Sequence, residues 1–214
     1  MPSISCIKFI GMNFRHNLFK LNYLLLSLFS LLIFTACEDD DATPAEENEE
    51  EVITDVKLIF TPASGSVVTA TAQDPDGEGV QELQVSGAIN LVSGSAYTLT
   101  YEIMNNLETP GEDIGEEILE EGAEHQLFFS FTDGAFTSPT GNGNIDNASD
   151  PINYNDTDAN GNPLGLSTAW TAGDALSSGT FTVRLQHQPD VKTSTSTATT
   201  GDTDFELTFV LNIQ

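Results

Sequence analysis

The chain has 214 residues and a formal charge of −27, with 33 acidic against six basic side chains. A field of that sign repels phosphate backbones and anionic lipid headgroups, so nucleic-acid binding is excluded and a divalent cation or a basic partner is favoured. The same charge also serves solubility in a crowded compartment.

The first 36 residues read as a targeting segment. Lys8, Arg15 and Lys20 form its basic flank, and Tyr23 to Phe34 is apolar apart from Ser27 and Ser30. That stretch falls short of the roughly 20 apolar residues a membrane span requires. It closes on Phe34-Thr35-Ala36-Cys37, after which the composition turns acidic at Glu38-Asp39-Asp40-Asp41. This is the pattern of a bacterial lipoprotein signal, with cleavage before Cys37 and acyl chains attached to it as a membrane anchor. An uncleaved membrane segment is the alternative. Processing would remove Cys6, so no thiol pair remains for a disulfide. It would also leave three basic residues (Lys57, Arg184 and Lys192) against all 33 acidic ones, a formal charge of −30.

Residues 38–51 hold nine acidic residues in fourteen and no aromatic residue, the composition of an extended, self-repelling tether. Fully stretched it reaches roughly 45 Å at about 3.3 Å per residue. The expected organisation is therefore a signal peptide over 1–36, an acidic tether over 37–51 and a single domain over 52–214.

Within that domain the dominant signal has period two. Tyr97, Leu99, Tyr101 and Ile103 alternate with polar residues, as do Phe181, Val183 and Leu185. Phe205, Leu207, Phe209, Leu211 and Ile213 do the same, with Val210 the apolar exception. Strands with one apolar face belong to antiparallel sheets packed on one side. Weaker strand candidates are 56–61, 66–72, 79–85, 127–132 and 166–171, separated by turn-rich stretches such as Thr109-Pro110-Gly111 and Gly141-Asn142-Gly143-Asn144. Glu112 to Ala123 places Ile114, Ile118 and Leu119 at helical spacing and predicts one short helix. Residues 133–151 lack apolar periodicity and read as a long surface loop. The sum is an all-β fold, an immunoglobulin-like antiparallel β-sandwich of about seven or eight strands with one short helix. The disulfide and paired tryptophan of antibody domains are absent, so the architecture is expected and not that superfamily.

Two histidines follow Cys37. His125 shares a strand face with Leu127, Phe129 and Phe131, and His187 shares one with Val183 and Leu185. Both stand at strand ends on core-directed faces, where they could converge at one rim. Glu121 and Glu124 lie near the first, and Asp190 follows the second. Two imidazoles and a carboxylate, His125, His187 and Glu124, would suit zinc or copper. The alternative is two unrelated histidines hydrogen-bonded to backbone at strand ends.

Asp156-Thr157-Asp158-Ala159-Asn160-Gly161 matches the first half of a calcium loop, with oxygen ligands at alternate positions before a glycine. The expected ligands are Asp156, Asp158 and Asn160. The twelfth position, where a bidentate Glu is required, holds Ser167. Asp74-Pro75-Asp76-Gly77-Glu78 is a poorer candidate, and Asx turns alone generate both patterns. Catalytic signatures are missing: no glycine-framed serine elbow, no cysteine nucleophile after processing and no phosphate-cradling loop. The chain is accordingly expected not to be an enzyme. Trp170, alone on a strand, reads as core.

Cys37 with its acidic run, Glu124-His125-Gln126-Leu127-Phe128-Phe129, Asp156 to Leu166, and His187-Gln188-Pro189 together resemble a family of small surface lipoproteins from the Bacteroidetes, over the whole mature domain. The resemblance implies that the acidic residues after the lipidated cysteine address the protein to the cell exterior. It also implies an accessory role beside TonB-dependent outer-membrane receptors, and it adds weight to the two histidine segments. The resulting expectation is a lipid-anchored outer-membrane binding module that captures a metal ion or other ligand for such a receptor. The alternative is a structural or adhesive surface module stabilised by calcium.

Overall fold

A computed structural model describes residues 51–74, 76 and 82–214. The expected signal segment, Cys6, Cys37 and the tether up to residue 50 lie outside these residues. So do Pro75 and residues 77–81, which take in part of the turn at Asp74 and of the strand expected from Gly79.

The described residues form eleven strands and one helix: β1 (Asp55–Pro62), β2 (Val68–Gln73), β3 (Gln84–Ser86), β4 (Ala88–Leu91), β5 (Ala96–Asn105), β6 (Glu112–Asp113), α1 (Ile114–Glu120), β7 (His125–Phe131), β8 (Phe136–Ser138), β9 (Thr168–Ala172), β10 (Leu176–His187) and β11 (Asp202–Ile213). The larger sheet runs β3-β2-β1-β5-β9-β8 with β6 attached to β5, and the smaller runs β4-β11-β10-β7. The sandwich is thus all-β as the alternation predicts. It has more strands than seven or eight, and one pair, β4 with β11, is parallel rather than antiparallel.

Period-two burial explains the sheets. Tyr97, Leu99 and Ile103 of β5, Phe181, Val183 and Leu185 of β10, and Phe205, Leu207, Phe209, Leu211 and Ile213 of β11 all turn into one core, while Val210 is 48% exposed on the opposite face. The chain crosses between sheets in a single residue. Gly87, at φ 83°, ends β3 in one sheet and begins β4 in the other, a backbone conformation that a side chain would strain.

Two expectations need correction. The helix occupies 114–120 only, because Glu112–Asp113 is drawn into pairing with β5 and Asp113 caps α1 by accepting the Glu116 amide at 3.2 Å. Ile114 and Ile118 are buried, but Leu119 is 57% exposed and adds nothing to the core. The stretch 133–151 is likewise more than a surface loop. It contains β8 with buried Phe136, and it seals the outer edge of β7, where the Phe129 amide donates to Asn144 Oδ1 and the Phe131 amide to the Asn142 carbonyl. Leu164 completes the seal by accepting the Leu127 amide at 2.8 Å. An edge covered in this way is closed to pairing with another chain. No helix among the described residues is long and apolar enough to cross a membrane.

Candidate metal centre

The turn leaving α1 builds the site. Glu121 ends the helix by donating its amide to the Glu117 carbonyl, and its own carbonyl then accepts the Glu124 amide at 2.8 Å. This tight return delivers His125 as the first residue of β7. In the β7–β10 ladder His125 stands directly opposite His187, the last residue of β10. The two rings lie flat on each other, with centroids 4.4 Å apart and planes 9° from parallel.

Both histidines are buried. His125 Nδ1 lies 3.3 Å from the Glu121 carbonyl. A carbonyl can only accept, so Nδ1 carries the proton and the lone pair resides on Nε2. That Nε2 is buried and has no hydrogen-bond partner among the described residues. Ligand atoms of His125, Glu121 and Glu51 all lie within 4.8 Å of one another, a Glu–Glu–His cluster that could hold a metal ion. An imidazole whose second nitrogen donates to a backbone carbonyl is the arrangement that fixes a metal-binding tautomer.

The carboxylates crowd one another. Glu51 is raised from its ordinary value, by burial first and then by the charge of Glu121, against an opposing pull from His187. Glu117 is pushed up to about 7, by burial and then by Glu112 and Glu51. Negative charge concentrated in this way is an environment that favours a dication.

Burial holds His125 down to about 4, helped by the positive potential of His187 and Lys192. Its ring is therefore neutral at pH 7 and free to ligate. The unfolded chain takes up that proton near 6.5, so the contribution of His125 to stability is constant above pH 6.5 and falls as the pH drops toward 4, by at most about 3 kcal/mol. Glu117 acts with the opposite sign, destabilising as pH rises from 4.5 to about 7, so a melting curve alone would blur the two. A proton NMR titration resolves them. The His125 ring resonances are expected to stay at their neutral positions down to about pH 5, and a midpoint near 6.5 would contradict the burial argument.

The sequence-predicted residues separate into two groups. His125, His187 and Glu124 do come together, with Glu124 Oε2 3.8 Å from His187 Nε2. The trio with converging ligand atoms, however, is His125 with Glu121 and Glu51. Asp190 is exposed. Glu51 falls within the expected tether, one residue before the expected domain start.

The candidate calcium loop is organised differently. Asp156 accepts the amides of Gly165 and Ser167, each at 2.9 Å, so Ser167 supplies a donor where a calcium loop needs a ligand. Asp158 accepts the amides of Asn160 and Asn162, each at 2.8 Å, while Asn160 is exposed. The cation beside Asp158 is the Lys192 ammonium. It lies 3.0 Å from Asp158 Oδ2, with both side chains buried, and donates to the carbonyls of Gly122 at 2.6 Å and His125 at 2.7 Å. Burial pushes the Asp158 carboxyl up, but the Asn162 amide and Lys192 outweigh it and the group titrates below its usual value. Lys192 therefore ties this loop, through the Asp158 carboxylate, to the carbonyls of the turn that carries His125.

The end of β10 is braced as well. The side chains of Gln186 and Gln188 donate to the Thr200 carbonyl, and the Gln188 amide donates to the Glu124 carbonyl. Gly201, at φ 76°, lets the backbone pass so close that a Cβ there would collide with the His187 carbonyl. No family model, curated protein or solved structure matches the chain, so the site rests on its own geometry.

Proposed function

We propose that this is a non-enzymatic, lipid-anchored surface protein whose β-sandwich captures zinc or copper at Glu51, Glu121 and His125, as an accessory to an outer-membrane receptor of the TonB-dependent kind. The observation that carries the reading is His125, whose Nε2 is a buried lone pair without a hydrogen-bond partner among the described residues and whose ring offers a ligand atom within 4.8 Å of those of two carboxylates. Leaving such an atom unsatisfied costs about 1–3 kcal/mol, and a metal ion removes that cost. One imidazole with two carboxylates offers the nitrogen and oxygen donors that zinc and copper accept. Three protein ligands leave coordination positions open, so the ion can be handed on, as an accessory to uptake requires. The lipoprotein pattern at Cys37 and the acidic run after it supply the anchor and the reach. The calcium-dependent adhesive alternative is disfavoured by Asp156 and Asp158, whose oxygens serve backbone amides and Lys192.

Calorimetry on the full-length chain in detergent tests the proposal. Zinc or copper should bind with one-to-one stoichiometry at micromolar concentration, and His125→Ala should abolish the heat. No heat in the wild type, or binding unchanged by His125→Ala, overturns the metal reading. Retention in the membrane fraction, lost in Cys37→Ser, tests the anchor.

A further inference from the structure

We infer that His187 is a positioning residue of the metal centre and not one of its ligands: it acts as a flat wall that holds the His125 ring in the orientation from which Nε2 meets the ion. The inference rests on the metal reading above and narrows it.

The geometry of the stack decides the matter. A metal ion binds imidazole along the nitrogen lone pair, which lies in the ring plane, at about 2.0–2.1 Å. The planes of His125 and His187 are 9° from parallel and the centroids are 4.4 Å apart. An ion placed in the plane of one ring therefore sits well out of the plane of the other. Two stacked imidazoles cannot both direct a lone pair at one ion, whereas two imidazoles meeting edge-on could. The carboxylates favour His125, because two of them, Glu51 and Glu121, converge with it, whereas His187 Nε2 has Glu124 at 3.8 Å.

Toward His125, His187 presents its ring face. The ladder places it directly across from His125, the closest side-chain relation a β-sheet provides. His187 cannot drift, since the backbone beyond it is held by the bond from Gln188 to Glu124 and hemmed by Gly201. His125 is thus held at two points, edge-on at Nδ1 by the Glu121 carbonyl and face-on by the His187 ring. Those two restraints fix both the tautomer and the ring plane, and pre-organisation of this kind is what a supporting residue contributes to a metal site.

The test compares His187→Phe, which keeps a flat ring and removes every nitrogen donor, with His187→Ala, which removes both. Zinc is titrated into the full-length wild-type and variant chains by calorimetry. His187→Phe should bind zinc within about threefold of wild type, and His187→Ala should bind at least tenfold more weakly. Loss of binding in His187→Phe equal to that in His125→Ala would make His187 a ligand and overturn the inference. Wild-type affinity in His187→Ala would overturn it from the other side. Should His187→Ala not fold, His187→Leu fills the space without offering a ring face.

A metal-free readout separates this inference from the metal reading. Nitrogen NMR should find a single Nδ1–H tautomer for His125 in wild type and His187→Phe, and a mixture in His187→Ala. A single tautomer in all three defeats the positioning role even if zinc binds. An absence of zinc binding in wild type defeats the metal reading alone.

Discussion

Lys192→Met should be among the most damaging single substitutions in the domain, lowering its stability by roughly 3–5 kcal/mol. The ammonium and the Asp158 carboxylate are both buried, and the change leaves the carboxylate without its counter-charge. The carbonyls of Gly122 and His125 lose a donor at the same time. For a domain of this size the loss corresponds to a fall in melting temperature of roughly 6–20 °C. The double variant Asp158→Asn/Lys192→Met separates charge from packing. It removes both charges while keeping an oxygen for the Asn160 and Asn162 amides, and should recover the larger part of the loss. Thermal melts check both, and a single variant as stable as wild type would mean that Asp158 is not desolvated.

Trp170→Ala should cost a similar amount, about 3–5 kcal/mol, for a different reason. Trp170 belongs to the larger sheet, and its ring meets Phe129 at 5.3 Å, Phe131 at 5.5 Å and Phe181 at 5.1 Å from the smaller sheet. Phe136 of β8 closes the group at 4.8 Å. Its indole N–H is satisfied inside the core by Thr168 Oγ1 at 2.7 Å, so the wild-type ring carries no polar penalty. Truncation leaves a cavity where the two sheets meet, which backbone ladders on either side prevent from collapsing. Chemical denaturation should show a lower midpoint with an unchanged slope. A midpoint within experimental error of wild type would show that the sheets are not joined through this ring.

The long strands were legible because β5, β10 and β11 carry enough consecutive alternation to declare a face. β4 was not, since Ile89 and Leu91 are only two apolar positions and their partner strand lies far along the chain. β8 was missed for a similar reason, with Phe136 standing alone in a stretch of turn residues. At the site, the face and strand-end position of His125 and His187 could be read from local alternation. Their stacking could not, because it depends on the β7–β10 register, which long-range pairing sets. Glu51 was hidden by composition: it closes a run of acidic residues that reads as tether, and its approach to Glu121 is tertiary. The Asp156–Gly161 pattern shows the converse ambiguity. Closely spaced carboxylates before a glycine suit a cation of any kind, and here the cation is an ammonium from Lys192, outside the loop's own sequence.

The position of β11 governs the order in which this protein can assemble. It is the last of the eleven strands, yet it lies inside the smaller sheet, between β4 and β10. Asn90 and Asn212, facing each other across the β4–β11 pair and joined by a side-chain hydrogen bond of 3.0 Å, are 122 residues apart. Without residues 202–213 the smaller sheet loses the strand that joins β4 to β10 and is reduced to the β7–β10 pair. β11 can pair first with its chain neighbour β10, but the β4–β11 pairing must close this long loop, which makes it a slow step in folding. The larger sheet, whose strands all lie before residue 173, does not need this strand, so the two sheets differ in how much of the chain each must wait for.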